Sequence, residues 1–227
     1  MIINKLLTTV NYKQSNIDRI KYIVVHYVGA TGGAEDNCKY FKSIYRGASA
    51  HYFVGHKGEV WQSVEDQNIA WHCGALKYKH SGCRNSNSIG VELCCKKDKS
   101  GNWYFEQATI NAAIELVKDL MQKYNIPVEN ILRHYDVTGK NCPAPFVSDA
   151  AAWADFKNQL TNKAAVSSYL VKINTDVLNV RAGAGTNYKI NTTVKRGEVF
   201  TIVQEFGGWG KLKSGAGWIK LSYTKRI

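Results

Sequence analysis

The chain has 227 residues, of which 44% are hydrophobic, enough for one large domain or two modest ones with a real core. Its formal net charge of +12 attracts polyanions, whether nucleic acid, anionic lipid or an acidic polymer such as a cell wall, and does not choose among them. No stretch is apolar for long enough to span a bilayer, and Met1 to Val10 lacks the pattern of a secretory signal, so synthesis in the cytoplasm without stable membrane insertion is expected.

Tyr22-Ile23-Val24-Val25-His26-Tyr27 is a β-branched and aromatic run and reads as a buried strand. Gly29, Gly32 and Gly33 end it, and a strand end facing a glycine-rich loop is a common place to display ligand-bearing side chains. His26 sits there and is either a metal ligand or a core imidazole hydrogen-bonded within the sheet.

Ala34 to Ile44 reads as a short helix with Cys38, Phe41 and Ile44 inward. Ala50 to Gly55 and Glu59 to Gln62 read as paired strands around a tight turn in which Gly58 supplies a positive φ. His51 is placed to line a site, whereas His56 at the turn is solvated. In Ala70-Trp71-His72-Cys73-Gly74, adjacent side chains on an extended segment point opposite ways, so His72 and Cys73 cannot easily share an ion. Trp71 and His72 are expected as walls of a cleft and Cys73 as a buried thiol, with a polar loop from 75 to 87.

Ser88-Ile89-Gly90-Val91-Glu92-Leu93-Cys94 is an apolar strand with one carboxylate inside it. A Glu there is either a general base whose pKa burial has raised or half of a salt bridge. Gln107 to Asn125 is the clearest helix, with Ile110, Ile114, Val117, Met121 and Tyr124 at helical spacing and Asn125 and Pro127 closing it. Ile131-Leu132 is a short strand leading to His134. Pro143 is expected to stop any regular element just after it. A helix from Ala150 to Leu160 turns Trp153 and Phe156 inward.

Thr161 to Ser168 is small and polar and reads as a linker. Beyond it the pattern changes to short strands, Leu170–Ile173, Val177–Arg181, Val199–Gln204, Trp209–Leu212 and Trp218–Leu221, separated by glycine turns that include Gly183, Gly197, Gly207, Gly208 and Gly215. This is the pattern of a small β-barrel. Residues 169–227 hold ten Lys/Arg against three Asp/Glu, the denser positive charge of the two parts. The expected domains are therefore 1–160 and 169–227.

Six cysteines in a chain this long, two of them the neighbours Cys94 and Cys95, argue for reduced thiols rather than a disulfide framework. Arg133-His134-Tyr135-Asp136 through Lys140-Asn141-Cys142-Pro143 packs an imidazole, an ammonium and a thiol into one short stretch. With His26 as a third donor, His134 and Cys142 make a set of three that leaves an open fourth position, the mark of a catalytic rather than a structural zinc.

Five segments in order carry a resemblance: Ile23 to His26, Ala50 to Val54, Ala70 to Gly74, Asn87 to Glu92, and Arg133-His134-Tyr135-Asp136 through Lys140-Asn141-Cys142-Pro143. Together they resemble the zinc-dependent N-acetylmuramoyl-L-alanine amidases, the family that includes phage lysozyme-type amidases and peptidoglycan recognition proteins. The resemblance covers roughly residues 20–160. It implies a mixed central sheet flanked by helices, His26, His134 and Cys142 as ligands of Zn2+, Glu92 as catalytic carboxylate and Lys140 as transition-state cation. Two positions depart from the pattern: Cys73 where Ala is expected, and Ala50 where some members carry a Tyr.

Leu178-Asn179-Val180-Arg181-Ala182-Gly183 with Trp209-Gly210-Lys211-Leu212 and Gly217-Trp218-Ile219 resembles bacterial SH3-like domains. It implies a wall-binding module, with Trp209 and Trp218 either in contact with the wall or simply core. The two resemblances together imply a peptidoglycan hydrolase of endolysin or autolysin type. It would cleave the amide between N-acetylmuramic acid and L-alanine and act on a Gram-positive cell wall, released by a holin if phage-derived. A non-catalytic peptidoglycan-binding protein of the same fold is the alternative, but such a protein lacks a zinc ligand, and this chain has all three. No nucleic-acid motif accompanies the scattered lysines, so no nucleic-acid partner is expected.

Overall fold

The computed structural model describes residues 1–161, 168–186, 188–206 and 208–227. The chain divides after Thr161 into two compact units. The linker expected at 161–168 falls, apart from its two ends, outside the described residues, as does Gly207.

The first unit carries β1 (Ile3–Lys5), β2 (Tyr22–Tyr27), α1 (Ala34–Phe41), β3 (Tyr52–Val54), β4 (Val60–Gln62), β5 (Ser88–Leu93), the small hairpin β6 (Lys96–Lys97) and β7 (Trp103–Tyr104), and α2 (Gln107–Tyr124). After these come β8 (Ile131–Arg133), α3 (His134–Thr138), α4 (Ala144–Ser148) and α5 (Ala150–Thr161). One mixed sheet runs β1-β4-β3-β5-β2-β8. Its neighbours β3, β5, β2 and β8 are mutually parallel.

Parallel strands are buried on both faces, which is why β2 reads as a continuous apolar run. Ile23, Val25, Ile89, Val91, Leu93 and Ile131 enter the main core against α2 and α5. In α2 the buried side chains include Ile114, Leu116, Val117 and Leu120, each contributing about 1.5–3 kcal/mol. That face is wider than expected and takes in Leu116 and Leu120 beside Ile114 and Val117, while Ile110, Met121 and Tyr124 pack at its margin. Asn125 ends the helix in the left-handed region at φ 52°. Gly58 sits at φ 84°, as its turn requires.

Several expectations need correction. Ile44 lies beyond the end of α1 and is exposed. Pro143 does not end regular structure. It caps the start of α4, because a proline at a helix start removes only an N–H that would be unpaired there anyway. The short strand expected before His134 is present, and His134 itself opens α3.

The second unit is all antiparallel: β9 (Tyr169–Ile173), β10 (Val177–Arg181), β11 (Ile190–Lys195), β12 (Val199–Phe206), β13 (Trp209–Leu212), β14 (Trp218–Lys220) and β15 (Thr224–Arg226). The strand order is β11-β10-β14-β13-β12-β9-β15. One core of Val171, Ile173, Leu178, Val180, Val194, Ile202, Leu212 and Ile219 holds it. No helix among the described residues is long and apolar enough to cross a membrane.

Candidate functional site

The site grows from the C-terminal ends of three neighbouring parallel strands. In the β2–β5 ladder His26 pairs with Glu92, so both side chains project from the same face of the sheet. In the β2–β8 ladder Val25 pairs with Arg133, which brings His134 in at the next position. Cys142 returns to the same place because its carbonyl accepts from the Tyr135 N–H at 2.8 Å, folding the loop after α3 back onto the helix start.

His26, His134 and Cys142 are all buried, and one donor atom from each lies within 4.8 Å of the other two. The two imidazoles meet edge to face with ring centroids 4.7 Å apart. Cys142 Sγ is 3.7 Å from His26 Nδ1, and Glu92 Oε1 is 3.9 Å from the same nitrogen. Two imidazoles and a thiol form a donor set that suits zinc. The buried His134 Nδ1 and Glu92 Oε2 have no hydrogen-bond partner, a cost that buried polar atoms seldom bear. These residues fit a bound cation.

Burial sets the charge states. It holds His26 well below the ordinary imidazole range, with His72, His134 and Lys140 adding to the effect. It brings His134 down to about 4, again helped by Lys140. It pushes the Cys142 thiol up to about 12, reinforced by Glu92. Glu92 is raised to about 8 by burial, against the pull of the Lys140 ammonium. At neutral pH the donors are therefore uncharged.

Lys140 is exposed and lines two adjoining hollows together with Trp71, His72 and His134. The inner hollow, about 270 Å³, also reaches His26, Glu92 and Cys142. The outer one, about 640 Å³, opens past Gly47 and Asn85. Trp71 and His72 thus stand in the cleft wall.

His51 does not. It is fully buried, its Nδ1 accepts from the Gly90 N–H at 2.9 Å, and its Nε2 lies 3.1 Å from the Asn68 carbonyl. Both nitrogens serve the backbone, so none is left for a ligand. In the second unit Trp209 and Lys220 line a hollow of about 750 Å³ with Arg181 and Tyr223. Trp218, as buried as Trp209, does not line that hollow.

Three supports escaped the sequence reading. Asp136 caps α3 and holds Arg133. Asn85 Oδ1 accepts from the His72 and Cys73 N–H groups at 3.1 and 2.7 Å. Ser88 Oγ lies 3.2 Å from His72 Nε2. Only Asp136 left a local signal, an acid at the third position of a helix that begins at His134.

A sequence model of the family described as N-acetylmuramoyl-L-alanine amidase matches residues 16–145, and one described as bacterial SH3 domain matches residues 176–225. The curated N-acetylmuramoyl-L-alanine amidase BlyA of Bacillus subtilis (strain 168) is 35% identical over 158 residues, covering 63% of this chain and 42% of its own. The amidase AmiD of Escherichia coli (strain K12) is 32% identical over 154 residues, covering 61% and 54%. The solved structure of PlyL is 30% identical with a TM-score of 0.60, covering 70% of this chain and 97% of that one. The chain spans about half the length of the curated relatives it matches.

Proposed function

The chain belongs to the N-acetylmuramoyl-L-alanine amidase family, and on that footing we propose that its first unit hydrolyses the amide joining the lactyl group of N-acetylmuramic acid to L-alanine in peptidoglycan. The observation that carries this reading is the meeting of His26, His134 and Cys142 donor atoms within 4.8 Å, with the Glu92 carboxyl beside them. His26, His134 and Cys142 would hold a zinc ion. When bound, that ion acidifies water toward ~7, polarises a carbonyl oxygen and draws the Glu92 carboxyl back to its ionised form.

Glu92 is the proton carrier. Its carboxylate takes a proton from the attacking water and delivers it to the alanine nitrogen as the C–N bond breaks, leaving a lactyl carboxylate and a free amine. Lys140, at the mouth of the inner hollow, sets its ammonium against the negative charge that develops on the scissile carbonyl oxygen. Trp71 walls the cleft.

The second unit matches the bacterial SH3 family, and its positive charge suits an acidic Gram-positive wall. Trp209 in its hollow is the wall contact. Trp218 does not line that hollow. The layout is that of an endolysin or autolysin acting on the wall from which its substrate comes.

Digestion of purified sacculi tests the reading. Mass spectrometry should find intact stem peptides with free L-alanine N-termini, and zinc should co-purify with the protein. Glu92→Gln should keep the zinc and lose about 10²–10⁴-fold in rate. Release of reducing sugars, or of peptides cut at an internal bond, would refute the assignment.

A further inference from the structure

A run of hydrogen bonds ends on His26, and for uncharged rings the donor at each step can be followed. Ser88 Oγ lies 2.7 Å from the Arg84 carbonyl. A carbonyl only accepts, so the one hydroxyl proton of Ser88 goes there. Ser88 Oγ is then left to accept from His72 Nε2, 3.2 Å away. A neutral His72 protonated at Nε2 carries its lone pair on Nδ1, and that atom lies 3.0 Å from His26 Nε2. His26 must supply the proton of this contact. It is therefore the Nε2–H tautomer, with the Nδ1 lone pair facing Cys142 Sγ at 3.7 Å. The opposite tautomer would set two lone pairs against each other across the 3.0 Å contact.

The strand beneath is shaped for this arrangement. Ser88, Gly90 and Glu92 alternate onto one face of β5. Ser88 bonds the His72 ring and Gly90 seats it: a Cβ at Gly90 would stand 2.5 Å from His72 Cγ. The N–H groups of His72 and Cys73 are fixed by Asn85. The His26 and His72 rings cross at 88° with centroids 5.1 Å apart, so the contact is edge-on through the nitrogens.

We propose that His72 is a positioning residue of the metal centre: locked by Ser88 and seated on Gly90, it holds His26 in the one tautomer and orientation that present Nδ1 to a metal ion. This rests on reading His26, His134 and Cys142 as the ligands. An imidazole thus takes the place of the carboxylate or carbonyl that usually orients a ligating histidine.

Two measurements test it. Long-range ¹H–¹⁵N spectra of the metal-free protein read the tautomer directly and need no bound metal. Wild-type His26 should be protonated at Nε2 alone, and His72→Phe should give a mixture. Chelator competition reads zinc affinity. His72→Phe should bind about 10–100-fold more weakly, whereas His72→Gln, whose amide oxygen accepts from His26 and whose NH₂ donates to Ser88, should recover to within about threefold.

If His72→Phe does not fold, Ser88→Ala serves. It removes the lock with almost no change in volume and should mix the His72 and His26 tautomers. Wild-type His26 protonated at Nδ1, or a folded His72→Phe that binds zinc as tightly as wild type, would overturn the proposal. Folded wild-type protein that binds no zinc would instead sink the reading of the site, while the spectra still decide what His72 does to His26.

Discussion

Asp136 is the support whose removal should show most clearly how folding and metal binding are joined. Its Oδ2 accepts from the Arg133 backbone N–H at 2.9 Å and from Arg133 Nε at 3.1 Å, and its Oδ1 accepts from Nη2 at 2.8 Å. Arg133 Nη1 in turn donates to the Phe146 carbonyl at 2.8 Å. The Asp136–Arg133 pair thus ties the end of β8, the start of α3 and the middle of α4, and the first residue of that α3 turn is His134.

Asp136→Ala removes a helix cap worth about 0.5–2 kcal/mol. It also removes charge-assisted hydrogen bonds worth about 1.5–3 kcal/mol. Both side chains are less than a quarter exposed, and the expected loss is about 2–4 kcal/mol. Asp136→Asn keeps the cap but not the forked pair and should cost about half as much. Zinc affinity should fall as well, since the His134 ring loses its frame.

The pH dependence follows from the sign of the shift. Burial pushes the Asp136 carboxyl up, but the Arg133 hydrogen bonds outweigh it and the net pKa is lowered. Stabilisation from a depressed carboxylate is present above the unfolded value of about 4 and is lost as pH falls through the folded one. The gap between wild type and Asp136→Asn should therefore close in acid. Urea unfolding followed by helical circular dichroism reads the first unit, where all the described α-helices lie. Equal midpoints at neutral pH, or a gap undiminished in acid, would refute the reasoning.

Lys140→Met should lower kcat about 10²–10³-fold with less change in KM and unchanged zinc content, and a wild-type kcat would remove Lys140 from the oxyanion role. Zinc binding should release protons. The Cys142 thiol at about 12 gives up one, and Glu92 at about 8 is mostly protonated at neutral pH and gives up most of another. Calorimetry in buffers of different ionisation enthalpy should find between one and two protons at about pH 7, falling toward one above about pH 9, and release of fewer than one would contradict the donor states. Asp66 is buried against Tyr52, Gln62, Lys123 and Tyr124, and Asp66→Ala should cost about 2–6 kcal/mol by stranding the Tyr52 hydroxyl and the Gln62 amide. A loss under about 1 kcal/mol in the urea assay would argue that water replaces the carboxylate.

Local chemistry decided how much was legible in the sequence. β2 and β5 could be read because strands buried on both faces must be almost wholly apolar, so a lone His or Glu among them stands out. The short β1 was not legible: Ile3 to Lys5 become a strand only by pairing with Val60 to Gln62, far along the chain. Ile190 to Lys195 is mostly polar and buries only Val194, as an edge strand does, so it gave no alternating signal. His51 and His72 looked alike as isolated imidazoles beside strands. Backbone partners separated them, since Gly90 and Asn68 occupy both nitrogens of His51. The Arg84–Ser88–His72 run could not be read in advance, because each donor role follows from a distance to the next group.

The two faces of the central sheet are given different tasks, and the period of a strand enforces the division. On β2, Ile23 and Val25 point into the main core, while Val24 and His26 point the other way, where Val24 joins a small cluster with Cys73, Cys83, Leu132 and Val137. On β5, Ile89, Val91 and Leu93 enter the same main core, while Ser88, Gly90 and Glu92 face the cleft side. A slip of one residue in either strand would exchange these sets, burying a histidine and a carboxylate among aliphatic side chains and exposing the core. The hydrophobic pattern that makes the unit fold therefore also fixes the register that brings His26 beside Glu92. The cost of keeping unpartnered polar atoms in the cleft is offset by a core on the far side of the sheet that contains none of the site residues.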